Sequence, residues 1–265
     1  MKKILWLALL SAMSLPAVAQ TAGDAGENAD TPPRFGLGVG VVAEERPYAG
    51  EGVRTIPFPL VSYNGERFYY QADTLGWRLI KGDAFELSVV GKFRADGFDA
   101  EDLGRRELAA NGIDRDLLDD RDFEFDVGLA LRWSGTAGEV SVQVVSDVTD
   151  ASDGQEATFE YAYPIELGRG GLKPMVGVAF QSERMADYYY GTLDKEVARG
   201  VVDYRPGEVV IPYVGIQYMR PIGEEWSFMT FARYTRLPNE ITDSPLVEEG
   251  LDGTGMVFVG FWRNF

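Results

Sequence analysis

Residues 123–133 read FEFDVGLALRW, and every odd position in this stretch is a large apolar residue. The even positions are acidic, small or basic, so apolar and polar side chains alternate with a period of two. This period is typical of a β-strand with one apolar and one polar face. Two further runs, 140–148 and 156–166, repeat the alternation. The stretch and its two neighbours therefore predict an all-β protein.

The candidate strands are long, and most span about ten to twelve residues, which is about twice the usual length in soluble proteins. Such a length matches a tilted strand that crosses a bilayer. Short connections alternate with long ones at 96–121, 184–207 and 237–253. We therefore predict a transmembrane antiparallel up-and-down β-barrel rather than a soluble sandwich, because ionisable residues on the second face suit a wet lumen. The other candidate strands are 35–44, 54–63, 66–81, 84–95, 172–183, 208–220, 225–236 and 254–265.

The strand count needs one correction, because bacterial single-chain barrels have an even number of strands. The sequence offers eleven runs. The run 66–81 is overlong and contains Asp73 and Gly76, so we divide it into strands near 66–72 and 76–81. This division predicts twelve strands, and the alternative is ten, with 35–44 outside the wall.

The chain begins with features of an exported protein. Two lysines, a short apolar run and an Ala17-Val18-Ala19 site predict a signal peptide over 1–19, cleaved near Ala19-Gln20. Residues 20–34 are small, acidic and proline-ended, which predicts a disordered periplasmic lead-in before a barrel over 35–265. Phe265 ends the chain with Phe261 on the same strand face, and this pair is the predicted assembly signal. Export and barrel pattern together predict the Gram-negative outer membrane.

Composition excludes several classes of function. The 265 residues include no cysteine and no histidine, and the formal net charge is −17. Disulfide frameworks, thiolate or imidazole metal sites and histidine-dependent catalytic triads are thereby excluded. A nucleic-acid partner is not expected, because binding phosphates requires a basic face. We predict no enzymatic activity and no cofactor.

Charged residues on the second strand face are the candidate lumen lining. The lining residues are Glu124, Asp126, Arg132, Glu156 and Glu160. In the long loops, Tyr188, Tyr189 and Tyr190 form a run that fits ligand contacts, a constriction or internal packing, and the sequence does not decide among them. Three acids at 147, 150 and 153 do not match the spacing of a calcium-binding EF-hand loop, so a polar hairpin loop is the prediction there.

Several loop motifs occur together in this chain. They are Pro47-Tyr48-Ala49-Gly50, Asp187-Tyr188-Tyr189-Tyr190-Gly191 with Glu196, Tyr204-Arg205-Pro206-Gly207, Arg236-Leu237-Pro238, Asp243-Ser244-Pro245-Leu246-Val247 and the terminal Phe265. From about Phe35 to Phe265 the chain resembles the MipA/OmpV family, the MltA-interacting proteins of the outer membrane. The resemblance implies a non-catalytic scaffold that bridges a lytic murein transglycosylase and a peptidoglycan synthase. The barrel pattern and the terminal Phe265 separately predict contact with outer-membrane lipid, lipopolysaccharide and the barrel-assembly machinery.

Two other functions stay open at the level of sequence. Inward acids would favour cations, so a small cation-preferring or solute channel is one alternative. A surface adhesin that acts through the long acidic loops is the other. A measured conductance would distinguish the channel from the scaffold. Loss of surface binding after a loop deletion that spares membrane insertion would distinguish the adhesin from the scaffold.

Overall fold

The computed structural model describes residues 34–265. The predicted signal peptide over 1–19, and the lead-in over 20–34 except for Arg34, lie outside the described residues. Within 34–265, no helix has both the length and the apolar character needed to cross a membrane.

The described residues form one closed antiparallel sheet, in which β1 pairs with β13 and β10 pairs with β11. β8 and β9 both pair with β10 and form one interrupted wall strand. The wall therefore contains twelve strands, as predicted, and the ten-strand alternative is wrong because β1 pairs on both sides. The strands are β1 Phe35–Glu45, β2 Val53–Asn64, β3 Phe68–Gln71, β4 Thr74–Lys81, β5 Phe85–Arg94, β6 Glu124–Gly135, β7 Gly138–Asp147, β8 Gln155–Ala162, β9 Ile165–Leu167, β10 Gly170–Gln181, β11 Val209–Ile222, β12 Trp226–Arg236 and β13 Gly253–Asn264.

The overlong run 66–81 is divided as predicted. β3 ends at Gln71 and β4 begins at Thr74, with a tight turn between them. Ala72 adopts a φ of 54° in this turn, a left-handed conformation that ends a strand. Asp73 follows and its carboxylate accepts a hydrogen bond from the Thr74 hydroxyl at 2.9 Å.

Apart from the tight turn between β3 and β4, which lies within the wall, the short turns and the long loops lie at opposite ends of the barrel. The short turns share an end with Phe35 and Asn264, where the sheet begins and ends. In outer-membrane barrels the short turns are periplasmic and the long loops are extracellular. Outward side chains on the wall are apolar and exposed, with Val39 at 68% and Leu129 at 52%. This surface is suited to contact with lipid.

Part of the lumen is apolar, whereas the sequence predicted a wet lumen. Inward side chains of β1, β2, β12 and β13 form one apolar cluster that includes Phe58, Phe231 and Phe258. Glycines on the inner face of β1 make room for these rings. A Cβ added at Gly40 would lie 2.6 Å from the Phe258 ring. Large side chains of neighbouring strands therefore fill space that β1 leaves empty.

Gly40→Ala is expected to destabilise the barrel by about 1–3 kcal/mol, the usual cost of overpacking a filled core. Urea unfolding followed by tryptophan fluorescence in detergent micelles measures the change. Gly255→Ala on β13 is the matched control, because a Cβ at that position meets nothing within 4 Å. Equal stability of the two variants would contradict the packing role of Gly40.

The three long loops and the shorter loop between β1 and β2 fold together into a cap with its own hydrophobic core. We define the cap as residues 46–52, 95–123, 182–208 and 237–252. It contains α1 Arg105–Ala110, α2 Glu183–Tyr190, α3 Asp194–Val197 and α4 Asn239–Thr242, with 3₁₀ turns at Ala100–Asp102 and Arg115–Leu117. Its core side chains are buried, among them Tyr48, Leu103, Leu108, Met185, Tyr189, Ile241 and Leu246. The acidic loop 96–121 is thus a packed part of the cap.

Candidate functional site

The predicted lumen residues lie on the inner faces of β6 and β8. Glu124, Asp126, Glu156 and Glu160 are buried, and Arg132 is half-buried. These side chains point inward because side chains alternate between the two faces of a strand, and on β6 and β8 the even-numbered residues point away from the lipid. Three of the acids, Glu124, Asp126 and Glu156, meet at the base of the cap, whereas Glu160 and Arg132 line the lumen further toward the periplasm.

Arg94, at the end of β5, is the centre of this acidic group and is 2% exposed. Its Nη2 donates to Asp126 Oδ2 at 2.9 Å, and its Nη1 donates to Glu156 Oε2 at 3.0 Å. The Nε atom lies 2.8 Å from Glu124 Oε1, and Nη1 also donates to Asp96 Oδ2 at 3.0 Å. A planar guanidinium suits this role because its donors form a rigid fork. One cation thus contacts four carboxylates.

Lys92 and Gln181 complete the group around Glu156. Lys92 Nζ donates to Glu156 Oε1 at 3.3 Å, and Gln181 Nε2 donates to Glu156 Oε2 at 3.0 Å. We call Lys92, Arg94, Asp96, Glu124, Asp126 and Glu156 the ion-pair network. It joins β5, β6 and β8 across the lumen just below the cap. Such a network is held only as long as each buried charge keeps its partner.

Two cavities lie along the lumen. The upper one, of about 150 Å³, is lined by Lys92, Arg94, Asp96 and Glu156 of the network together with Glu44, Arg46 and Arg233. The lower one, of about 120 Å³, is lined by Arg132, Glu160, Tyr69, Gln71 and Thr74 among others. Tyr213 donates its hydroxyl to Glu160 Oε2 at 3.0 Å between them. Each volume has room for on the order of ten water molecules, so the lumen is narrow.

Glu124, Asp126 and Asp147 are close enough to hold a cation, with one carboxylate oxygen of each within 4.8 Å of the others. Asp147 is already occupied, since its oxygens accept the backbone N–H groups of Thr149, Ala151, Ser152 and Asp153. Arg94 supplies the positive charge that the other two carboxylates require. We therefore assign no ion to this cluster, and residues 147–154 form the polar hairpin loop that the sequence predicts.

The tyrosine run lies on α2 inside the cap. Tyr189 and Tyr190 are buried in the cap core, and burial raises the pKa of both hydroxyls. Tyr188 is half-buried, and its hydroxyl accepts the backbone N–H of Asp122 at 2.7 Å. Of the three uses that the sequence left open, the geometry favours internal packing.

A buried ion pair ties two loops of the cap together. Arg121 donates from Nη1 and Nη2 to the two oxygens of Glu196, at 2.8 and 2.9 Å. Glu196 also accepts backbone N–H groups from Asp119 and Leu193, at 2.8 and 2.7 Å. Burial alone would raise the pKa of Glu196, but the hydrogen bonds and charge of Arg121 outweigh it and lower this pKa.

Sequence reasoning missed the basic members of these groups. Lys92 and Arg94 occupy inward positions of β5, on the same face as Ser88 and Val90. One signal in the sequence could have identified Lys92 and Arg94. Both basic residues lie on the inward face of a strand whose neighbour, β6, carries inward acids. Nothing in the local pattern distinguishes Arg121 and Glu196 from the other charges of the acidic loops, because their pairing depends on the folded cap.

Comparison with known proteins identifies the family. The family model for "MltA-interacting protein MipA" matches residues 37–265. The chain belongs to the MipA family. It is 32% identical to the "Putative outer membrane protein YiaT" of Escherichia coli K12 over 88% of this chain and 92% of that protein. It is 31% identical to the "MltA-interacting protein" of the same strain, over 88% and 90% of the two chains.

A solved outer membrane channel of Pseudomonas putida F1 is similar to the chain at 11% identity and a TM-score of 0.42. It covers 92% of this chain and 100% of its own. The family, its relatives and the closed twelve-strand barrel agree with one another. This chain of the MipA family is an outer membrane protein.

Proposed function

We propose that this chain is an outer-membrane scaffold that brings a lytic murein transglycosylase together with a peptidoglycan synthase. The observation that carries the proposal is the match to the MltA-interacting protein family over 37–265. The relative named "MltA-interacting protein" shares 31% identity across nearly the whole barrel. Membership of a non-catalytic family also fits the absence of cysteine and histidine from the sequence.

The geometry supports this proposal in two ways. The lumen is narrow and holds a buried ion-pair network, and the folded cap covers its extracellular end. Partners on the murein side therefore have the periplasmic turns as their docking surface. These turns, at 65–67, 82–84, 136–137, 168–169 and 223–225, are short, and all except 136–137 carry exposed charges. A surface of this size supports a modest interface rather than an obligate one.

In-cell crosslinking tests the scaffold. We expect a crosslinker applied to intact cells to join this chain to a murein transglycosylase or a peptidoglycan synthase. Mass spectrometry of the purified adducts would place the link on a periplasmic turn, such as 223–225, or on residues 20–34. The same protein with Glu224 and Glu225 replaced by glutamine should lose recovery of the partner if this turn docks it. Recovery of only barrel-assembly and lipopolysaccharide-assembly proteins would overturn the proposal.

A matched change separates docking from a general effect on the barrel. Glu248 and Glu249 lie in the cap at the opposite end, and their replacement by glutamine alters the net charge by the same amount. We expect partner recovery to be unchanged in that variant. Equal loss in both variants would show that net charge, rather than the periplasmic turn, controls the association.

A small-solute channel is the second candidate, and the lumen cavities favour it. The lower cavity is lined by two acids, Glu86 and Glu160, and by one base, Arg132, so a passage that opened through it would favour cations. Single-channel recording in a planar bilayer measures this directly, and a stable cation-selective conductance would support the channel. The adhesin alternative stays a prediction, tested by deleting 105–117 from the cap and measuring surface binding.

A further inference from the structure

The barrel wall is incomplete beside the upper half of β2. Val53–Val61 pair with β1 on one side, and among residues 34–265 no strand pairs with them on the other. β3 reaches only Ser62–Asn64 before it turns back into β4. We call this gap the window. Its lower rim is the turn between β3 and β4, and its upper rim is the ion pair of Arg54 Nη2 with Asp102 Oδ2 at 2.9 Å.

The sequence of β2 is adapted to an open edge. The N–H of Asn64 donates to the Arg34 carbonyl at 2.7 Å beside β1, so even-numbered residues of β2 direct their backbone groups toward β1. Odd-numbered residues direct theirs toward the window, because the direction alternates along an antiparallel strand. Pro57 and Pro59 are odd-numbered, and each lacks the N–H that would lie unpaired there. Proline within sheets is confined to such edges.

Apolar side chains behind this edge are accessible. Ile56, Phe58 and Leu60 point into the lumen but are only half-buried. Phe258 and Phe231, on strands with partners on both sides, are 0% and 1% exposed. The rings of Phe58 and Phe258 are 5.8 Å apart, so the difference in exposure arises at the window. An apolar surface thus leads from the lipid face into the barrel.

Polar groups lie where this apolar surface ends. Gln71 and Thr74 flank the turn at the lower rim and line the lower lumen cavity. The inward side chain of Val90 lines the same cavity, which therefore offers both apolar contact and hydrogen bonds. The carbonyl groups of β2 that face the window also require donors, since an unpaired backbone group in hydrocarbon costs several kcal/mol. An amphiphile brings a polar end and its bound water to the lower rim of the window, whereas a purely apolar occupant brings neither.

We propose that the window admits the acyl chain of an amphiphile from the bilayer into the lumen. The chain lies on Ile56, Phe58 and Leu60, and its polar end lies near Gln71 and Thr74. Two sources share this chemistry, a free fatty acid and an acyl chain of a membrane lipid. The inference is independent of the scaffold role, because docking of murein enzymes uses the opposite, periplasmic turns.

Photocrosslinking of the full mature chain in phosphatidylcholine vesicles tests the window. One sample contains palmitate with a diazirine in its chain, and a second contains phosphatidylcholine with the same group. We expect mass spectrometry to find adducts on Ile56, Phe58 or Leu60. If excess unlabelled palmitate removes the fatty-acid adducts, the ligand is a free fatty acid that exchanges. If only the phospholipid probe forms adducts, the occupant is an acyl chain of the bilayer. Either result places an acyl chain inside the window.

Two leucines provide a matched pair of variants. Leu60→Asn introduces an amide into the apolar path, and we expect about tenfold less labelling at Phe58, the effect of burying one polar group without a partner. Leu37→Asn makes the same change on the outer face of β1, where Leu37 pairs with Val61, and labelling at Phe58 should not change. Labelling of outward residues such as Val39, with none at the three inward positions in wild-type protein, would overturn the proposal.

Discussion

Arg94→Met is expected to lower the free energy of unfolding of the barrel by about 3–5 kcal/mol, the cost of leaving buried charges without their partner. Arg94 is 2% exposed and contacts carboxylates on two other strands. Methionine retains most of the apolar stem but leaves Glu124, Asp126 and Glu156 with Lys92 as the nearby cation of the network. Urea unfolding in detergent micelles, followed by the fluorescence of the four tryptophans of the barrel at 77, 133, 226 and 262, measures the loss.

Two further variants show whether charge is the cause. Arg94→Met combined with Asp126→Asn should recover part of the lost stability, because it removes one uncompensated carboxylate. Arg105→Met is the control, since Arg105 pairs with Asp116 on the exposed surface of the cap, and exposed pairs contribute little. If the double variant is no more stable than Arg94→Met alone, the effect of Arg94 is packing rather than charge.

The wall of this barrel is predictable because its strands separate two environments. An apolar outer face and a more polar inner face produce the period of two, so 123–133 predicted β6 to within two residues of Glu124–Gly135. Interruption of the pattern was equally informative. Asp73 in the run 66–81 predicted the division into β3 and β4, and the structure has its turn there. The alternation predicts the strands here because the polarity of each wall residue depends on whether it faces the lipid or the lumen.

The inner face of β2 shows where pattern reasoning fails. Residues 56–60 read IPFPL, so both faces of this segment are apolar and the alternation cannot show which side meets lipid. The window and the apolar part of the lumen were therefore not predicted. Their explanation needs strand pairing, because Pro57 and Pro59 are understood only once β3 is seen to stop short of them.

Contacts across the lumen and within the cap were also beyond the sequence. Arg94 and Glu156 are 62 residues apart, and their meeting depends on how the sheet closes. Tyr189 and Tyr190 fit a ligand site as well as a core until the loops are packed together. The charged and aromatic residues of a loop can be read from the sequence. Whether they contact another loop or an external ligand depends on the tertiary fold.

Glu196→Gln is expected to release the cap at neutral pH. Arg121 and Glu196 are both fully buried and join loop 95–123 to loop 182–208 through two parallel hydrogen bonds. A neutral amide cannot accept both donors of the guanidinium and leaves its charge uncompensated, which costs about 3–5 kcal/mol. Hydrogen exchange should therefore be faster in 182–208 of the variant, while the wall strands remain protected. Asp194→Asn on the same short helix is the control, because Asp194 pairs with Arg205 on the exposed surface.

The same pair predicts how the cap responds to acid. The folded state lowers the pKa of Glu196, so the ionised carboxylate stabilises the cap fully above the ordinary glutamate pKa of about 4.3. That contribution is lost as pH falls through the lower pKa of the folded state. Once exchange is corrected for its intrinsic pH dependence, protection in 182–208 of the wild type should therefore fall as the pH falls below about 4. In Glu196→Gln this loss of protection should be smaller, since the titrating group is gone. An equal acid response in both proteins would assign the opening to other carboxylates of the cap.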